Sequence, residues 1–205
     1  PEDASLKSAR CGPPQEDMVP SLLGDGSSTE PWRVARCEDL SSLDTDPTGH
    51  FVIVADLDCT NTAMVPLGRR KPFEGTLDGA GHVISGLVAE DGLFHKTLRA
   101  HIRRLGLLGA SVNGVGTAGV LVGQALHTTI EHVAVREAVL RSRSGGGHVG
   151  GLVGRAVHTQ ITNSYAIMDI ISRTRVGALV GSATHSQITA SYAVVPEASG
   201  LSPGP

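Results

Sequence analysis

The chain has 205 residues, 40% of them hydrophobic but only 3% aromatic, with 26 glycines and a formal net charge of −3. The length suits one sizeable domain or two small ones, and glycine at nearly twice its usual share argues against a helical bundle. The charge gives no reason to expect nucleic acid, and no apolar run reaches the ~18 residues of a membrane span, so no membrane insertion is expected.

In chain order, residues 1–23 carry Pro13-Pro14 and mixed charge and read as a linker or extended segment. The start at Pro1, with neither Met nor signal peptide, reads as a mature protein or an excised fragment. Residues 24–92 read as an N-terminal cap and first coils. Within them, Glu38 to Leu43 fits one short helical turn over an open end. Phe51 to Ala55, Phe73 to Leu77 and His82 to Val88 read as strands, and Asp78-Gly79 and Asn113-Gly114 as turns. The three cysteines are Cys11, Cys37 and Cys59, with no C-x-x-C pair to suggest zinc. Cys37 and Cys59 lie in two strand-like segments. A disulfide between them, favoured over two reduced buried cysteines, closes a loop of about 22 residues, stabilises by roughly 3 kcal/mol and implies an oxidising compartment. Cys11 is left without an assigned partner.

Residues 93–195 repeat. Leu121 to Ile130, Leu152 to Ile161 and Leu179 to Ile188 align without gaps, and Leu93 to Ile102 is a degenerate copy. The copy starts are 28, 31 and 27 residues apart, and Ser164-Tyr165-Ala166 matches Ser191-Tyr192-Ala193. Periods of this size belong to stacked architectures. The copies lack the L-x-x-L-x-L of leucine-rich repeats, and Gly and β-branched residues break every candidate helix. The pattern predicts an all-β parallel β-helix with coils ~4.8 Å apart. Leu121, Leu152 and Leu179 then form one interior column, and Ile130, Ile161 and Ile188 another. Gly123, Gly154 and Gly181 sit where the wall bends or crowds and a Cβ does not fit; the first copy has His95 there. Residues 196–205 read as a Pro/Gly-rich tail.

Val149-Gly-Gly-Leu-Val-Gly154 and Val176-Gly-Ala-Leu-Val-Gly181 resemble the GLUG motif, and Ala118-Gly-Val-Leu-Val-Gly123 is a weaker copy. The upstream stretches Gly24-Asp-Gly-Ser, Pro31-Trp-Arg-Val-Ala, Cys37-Glu-Asp-Leu, Ala55-Asp-Leu-Asp-Cys59 and Phe73 to Leu87 resemble the usual companion region of GLUG-repeat proteins. The resemblance runs over residues 24–194. It implies a right-handed parallel β-helix from a bacterial secreted or cell-surface (outer membrane or extracellular) protein. Such repeats occur in adhesin-like proteins and in non-catalytic regions of immunoglobulin A-cleaving metalloproteases. It brings no catalytic residues and supports the pairing of Cys37 with Cys59.

The register stacks His127, His158 and His185, each four residues after a motif glycine. Such a column could bind a transition metal or sense mild acid, but a repeated turn residue is the plainer account. Thr128, Thr159 and Ser186, and beside them Thr129, Gln160 and Gln187, read as a solvated polar face with hydrogen bonds between coils. Asp44, Asp46, Asp56 and Asp58 could supply calcium with oxygens, with turn and capping roles preferred and no cofactor otherwise expected. Arg69-Arg70-Lys71 and Arg99, Arg103 and Arg104 read as solvated faces that could meet an acidic glycan. The loop from Arg141 to His148 is the best displayed element, with Arg141, Arg143 and His148 as candidate ligand contacts.

Two G-x-G-x-x-G matches, at Gly114 and Gly145, open no βαβ unit, and the G-x-S-x-G at Gly200 lies in the tail. H-E-x-x-H is absent from the sequence. The expected function is non-enzymatic adhesion or scaffolding. Its partner would be a host, prey or matrix surface molecule, either glycan or protein. The alternatives are a polysaccharide lyase or hydrolase, with Asp56, Asp58 and Arg103 as nominees, and a fibre segment that forms a homotrimer.

Overall fold

A computed structural model describes residues 22–60, 62–142, 146–172 and 176–196. Cys11, Arg143, residue 145 of the second G-x-G-x-x-G, most of the expected linker and nearly all of the expected tail lie outside the described residues. The rest is a parallel β-solenoid, in which every strand pairing is parallel and joins one coil to the next.

Parallel pairing begins at Trp32–Val34 and runs to Tyr192–Val194. One interior column passes through Trp32, Phe51, Leu77, Ile102, Ile130, Ile161 and Ile188. A second passes through Leu57, Ile84, Leu107, Val135, Ala166 and Ala193. A third passes through Met64, Ala89, Val112, Leu140 and Ile170. The fourth wall stacks Phe94–Leu98, Val122–Leu126, Val153–Val157 and Val180–Thr184. Alternation along each strand sends every second side chain inward, so identical register yields columns rather than a mixed core.

Coils turn at corners held in the left-handed backbone region. Arg99, His127, His158 and His185 form one corner series, with φ between 48° and 53°. Arg104, His132, Asn163 and Ala190 form another, with φ between 48° and 53°. After each corner of the later coils comes a hydroxyl or an apolar residue that turns inward. Ser164 Oγ donates to the Thr162 carbonyl (2.8 Å) and accepts the Val133 N–H of the preceding coil (3.1 Å). Ser191 repeats this with the Ser164 N–H (3.1 Å), and Ser186 with the Thr159 N–H (3.1 Å). Thr97 and Thr128 bond through their hydroxyls at 2.9 Å. Thr128 and Thr159 are 1% and 0% exposed. The column Thr128, Thr159 and Ser186, expected on a solvated face, is therefore an internal ladder with the expected hydrogen bonds between coils, while Gln160 and Gln187 of the neighbouring column are exposed. The hydroxyls satisfy corner amides that the turn removes from the sheet, and a buried amide left alone is costly.

The motif glycines sit where two walls meet. A Cβ on Gly154 would lie 2.7 Å from the Gly123 carbonyl oxygen and 2.8 Å from the Ala118 nitrogen. One on Gly150 would lie 2.5 Å from the Gly181 nitrogen, and one on Gly181 2.6 Å from the Val149 nitrogen. The two glycines of each copy thus form facing columns, backbone against backbone, with no room for a side chain between them. Leu121 and Leu152, between the paired glycines, are fully buried, while Leu179 in the last coil is partly covered.

The N-terminal coils are less regular. A 3-10 helix over Cys37–Asp44 buries Cys37, Leu40 and Leu43. The Asp39 carboxylate accepts the N–H groups of Ala35 (3.1 Å) and Arg36 (3.0 Å) at its start. Cys37 is disulfide-bonded to Cys59, with Cα atoms 5.3 Å apart. Three expectations fail here. Neither bridged cysteine lies in a strand, since Cys37 opens the 3-10 helix and Cys59 follows the end of Leu57–Asp58. His82 to Val88 is not one strand but two, Val83–Ser85 and Val88–Ala89. They are broken at Gly86, whose φ of 66° and contact with Thr60 turn the chain to the next wall. Asn113-Gly114 is not a turn, because it pairs in register with Arg141 and Ser142 as the end of the strand Ser111–Gly114. Tertiary pairing overrides the local turn preference there.

Candidate binding surface

The outward side chains of one wall form a surface of unusual relief. Its register aligns Val83, Gly106, Ala134, Tyr165 and Tyr192 in one external column. A neighbouring external column holds Leu108, Arg136, Ile167 and Val194. Gly106 and Ala134 stand low between taller neighbours, so the face carries an open groove of about 570 Å³. Tyr165 closes one end of it. The Tyr192 ring stacks on Tyr165 with centroids 5.2 Å apart and planes 8° from parallel. Since Tyr192 lies on the coil beyond, the free face of Tyr165 looks back over Ala134.

Three basic residues flank the groove: Arg104, His132 and Arg136. Arg104 and Arg103 both pair with Asp78. Arg104 Nε lies 2.9 Å from one carboxylate oxygen and Arg103 Nε 3.0 Å from the other. Asp78 is 7% exposed. Burial alone would raise its pKa, but hydrogen bonds from Arg104 and the Ala80 N–H and the two guanidinium charges hold it below the usual carboxylate range. Arg103 and Arg104 are therefore partners of a buried acid rather than a plain solvated face. Arg99 likewise pairs with Glu74 at 2.8 Å. Arg136 is exposed and makes no ion pair with any described residue.

A second groove of about 540 Å³ gathers Arg69, Glu90, Asp91 and His95. Asp91, with φ of 61°, accepts the Val115 N–H at 3.1 Å and lies 3.4 Å from His95 Nδ1. Arg69 pairs with Glu90 and stands 3.9 Å from Asp91. These charges mostly neutralise one another.

His127, His158 and His185 do stand in a column. Their ring centroids are 4.8 and 4.9 Å apart and their planes 5° and 8° from parallel. They are exposed corner residues in the left-handed backbone region. Parallel rings do not converge on a point as metal ligands must, and no group of three or more His, Cys, Asp or Glu suited to a metal occurs among the described residues. Arg141 lies at the far end of the strand Thr129–Ser142 from the His127 corner. The His148 N–H donates to Thr117 Oγ1 at 3.4 Å, and its carbonyl accepts the Ala118 N–H at 2.9 Å. The structure does not bring Arg141 and His148 to the histidine column.

The acidic candidates are also dispersed. Asp44 accepts the Gly68 N–H (2.7 Å) and Asp46 the Trp32 indole N–H (3.1 Å). Asp56 accepts the Val83 N–H (3.0 Å) and faces His82 Nδ1 (3.1 Å), while Asp58 accepts the Thr60 N–H (2.9 Å). The Val83 and His82 bonds lower the pKa of Asp56, and hydrogen bonds from the Thr60 side chain and its N–H lower that of Asp58.

The grooved wall was not legible as a site. The repeated Ser-Tyr-Ala showed two tyrosines in register, but Gly106 and Ala134 have no matching residue type in the other copies. Only the coil alignment places them beneath Tyr165.

Comparison with family models matches the GLUG motif over residues 145–171. Comparison with curated protein sequences returns no match. Among solved structures the chain is similar to one from Bacteroides ovatus, described as a putative immunoglobulin A1 protease. The TM-score is 0.57 at 18% identity, covering 83% of this chain and 77% of that one. At that identity the likeness speaks for the fold. The facing glycines, the coil register and the family match converge on one statement: this chain carries the GLUG motif on a parallel β-solenoid.

Proposed function

We propose that the chain is an extracellular, non-enzymatic binding module that displays the grooved wall to a surface molecule. The observation that carries this is the wall itself: an exposed, largely apolar face bearing stacked tyrosines and an uncompensated Arg136 on a rigid stack. The Cys37–Cys59 disulfide suits an oxidising compartment. No helix among the described residues is long and apolar enough to cross a membrane.

The catalytic alternative has less support. Asp56 and Asp58 are engaged with backbone amides and Arg103 with Asp78, so the three nominees do not converge as a carboxylate pair must. A trimeric fibre segment would show in light scattering as three times the chain mass. The test of the main reading is to present the intact chain to glycan and protein arrays and assay every ligand for cleavage. Saturable binding without product is expected. Turnover of a polysaccharide or peptide overturns it.

A further inference from the structure

The groove has the dimensions and chemistry of a site for one class of ligand. Val83, Gly106, Ala134 and Tyr165 occupy four successive coils, so the backbones beneath Val83 and Tyr165 are roughly 14 Å apart, three coil spacings. Between them the floor is the Gly106 backbone, over which a Val83 methyl leans, and the methyl group of Ala134. A ring can therefore lie flat against the free face of Tyr165, with Ala134 beneath it. Tyr165 is braced from behind by Tyr192, so its ring is held in place before any ligand arrives.

Charge then selects among rings. Arg136 lies on the same strand as Ala134, two residues on, and so on the same outward face. His132 stands at the corner on the other side, with Nε2 3.3 Å from Asn163 Nδ2. Arg104 borders the next coil, already paired with Asp78. Carboxylates are absent from the groove lining. A neutral apolar ring would leave Arg136 unused, and a cation would be repelled. An amphipathic ring with an anionic edge satisfies both surfaces. A pyranose has an apolar C–H face, hydroxyls at its rim and, in a uronic acid, a planar carboxylate matching the two-pronged guanidinium.

We infer that this groove binds a carboxylate-bearing pyranose of an acidic glycan, the C–H face stacked on Tyr165 and the carboxylate on Arg136, with His132 bordering the hydroxyl edge. This rests on the binding-module reading and names the ligand class of that same wall.

The test uses the full chain with tetragalacturonate, its neutral galactose counterpart and a sulfated tetrasaccharide, measured by calorimetry at two salt concentrations. Tetragalacturonate is expected to bind best, and more weakly at high salt. Arg136→Gln is expected to weaken it by roughly tenfold or more and to bring it level with the neutral sugar. Tyr165→Ala weakens both acidic and neutral sugars, by about tenfold. Ala134→Leu fills the groove from the outside and abolishes binding, with an unchanged thermal midpoint showing that the coil is intact. Equal binding of the neutral tetramer by the unaltered chain, preference for the sulfated one, or undiminished binding by Ala134→Leu overturns the assignment. So does absence of tetragalacturonate binding. If the chain then still binds another array ligand independently of Ala134, the surface-module reading stands while the groove assignment falls. Cleavage of the tetramer has the opposite effect, ending the non-enzymatic reading but keeping the groove as its site.

Discussion

The two halves of the solenoid share one coil spacing but close their cores differently. From Val34 to Leu107 the interior is filled by bulk. The three phenylalanines run through it, with ring centroids 6.1 Å apart for Phe51 and Phe73 and 5.1 Å for Phe73 and Phe94. This half is tied by a disulfide, a 3-10 helix and ion pairs that join one coil to the next. From Ala118 onward the core holds no phenylalanine. It closes by periodicity, with facing glycines, Val and Ala columns and hydroxyls that carry each corner amide to the next coil. The first half tolerates irregular coils because large side chains fill uneven gaps. The second must repeat, since its contacts are backbone against backbone and leave nothing to adjust. Coverage also falls along the stack: Ile161 is fully buried, while its partner Ile188 in the last coil is 43% exposed.

That contrast can be broken most sharply at the glycines. Gly154→Val drives a branched side chain into the Gly123 carbonyl and Ala118 backbone, and is expected to cost about 3 kcal/mol or more in denaturant unfolding. His95→Gly, at the same register in the first half, should change stability by less than about 1 kcal/mol. Similar losses at both positions would erase the distinction. Next in size, Cys37→Ser with Cys59→Ser should lose about 3 kcal/mol. Amide exchange should rise mainly between Val34 and Leu57, with the later coils little changed.

Smaller effects test the links between coils. Ser164→Ala removes the acceptor of the Val133 N–H and should cost about 1–2 kcal/mol. Ser164→Thr keeps the hydroxyl and should recover most of it. Asp78→Asn should cost about 1 kcal/mol at neutral pH, a modest figure because both arginines are partly solvated. The pH dependence has a definite sign. The pKa of Asp78 is lowered in the folded chain, so its contribution is fully present above the unfolded value of about 4 and is lost as pH falls through the folded value. Denaturant midpoints below about pH 4 should therefore decline less steeply in Asp78→Asn. An identical acid limb would detach the ion pairs from stability.

The columns of Leu121, Leu152 and Leu179 and of Ile130, Ile161 and Ile188 were readable because strict spacing in sequence becomes stacking in space. Less was readable in the first half, where coil lengths vary more: Trp32 and Phe51 are 19 residues apart and Phe51 and Leu77 26, against 31 for Ile130 to Ile161 and 27 for Ile161 to Ile188. The inward turn of Thr128 and Thr159 was missed because a corner in the left-handed region reverses the alternation that their polarity suggested. The groove was missed for a different reason. It is made by what Gly106 and Ala134 lack, and an absence in one coil has meaning only beside the bulk in its neighbours.

The parallel imidazoles of His127, His158 and His185 show how faithfully the later coils keep their spacing. A polymer lying along this column would meet the same side chain at each step, and one lying across it would meet unlike ones. Orientation should then be audible in valency. Lengthening a ligand along the histidines multiplies equivalent contacts and raises avidity in steps, whereas lengthening it across the walls adds each new contact on different terms.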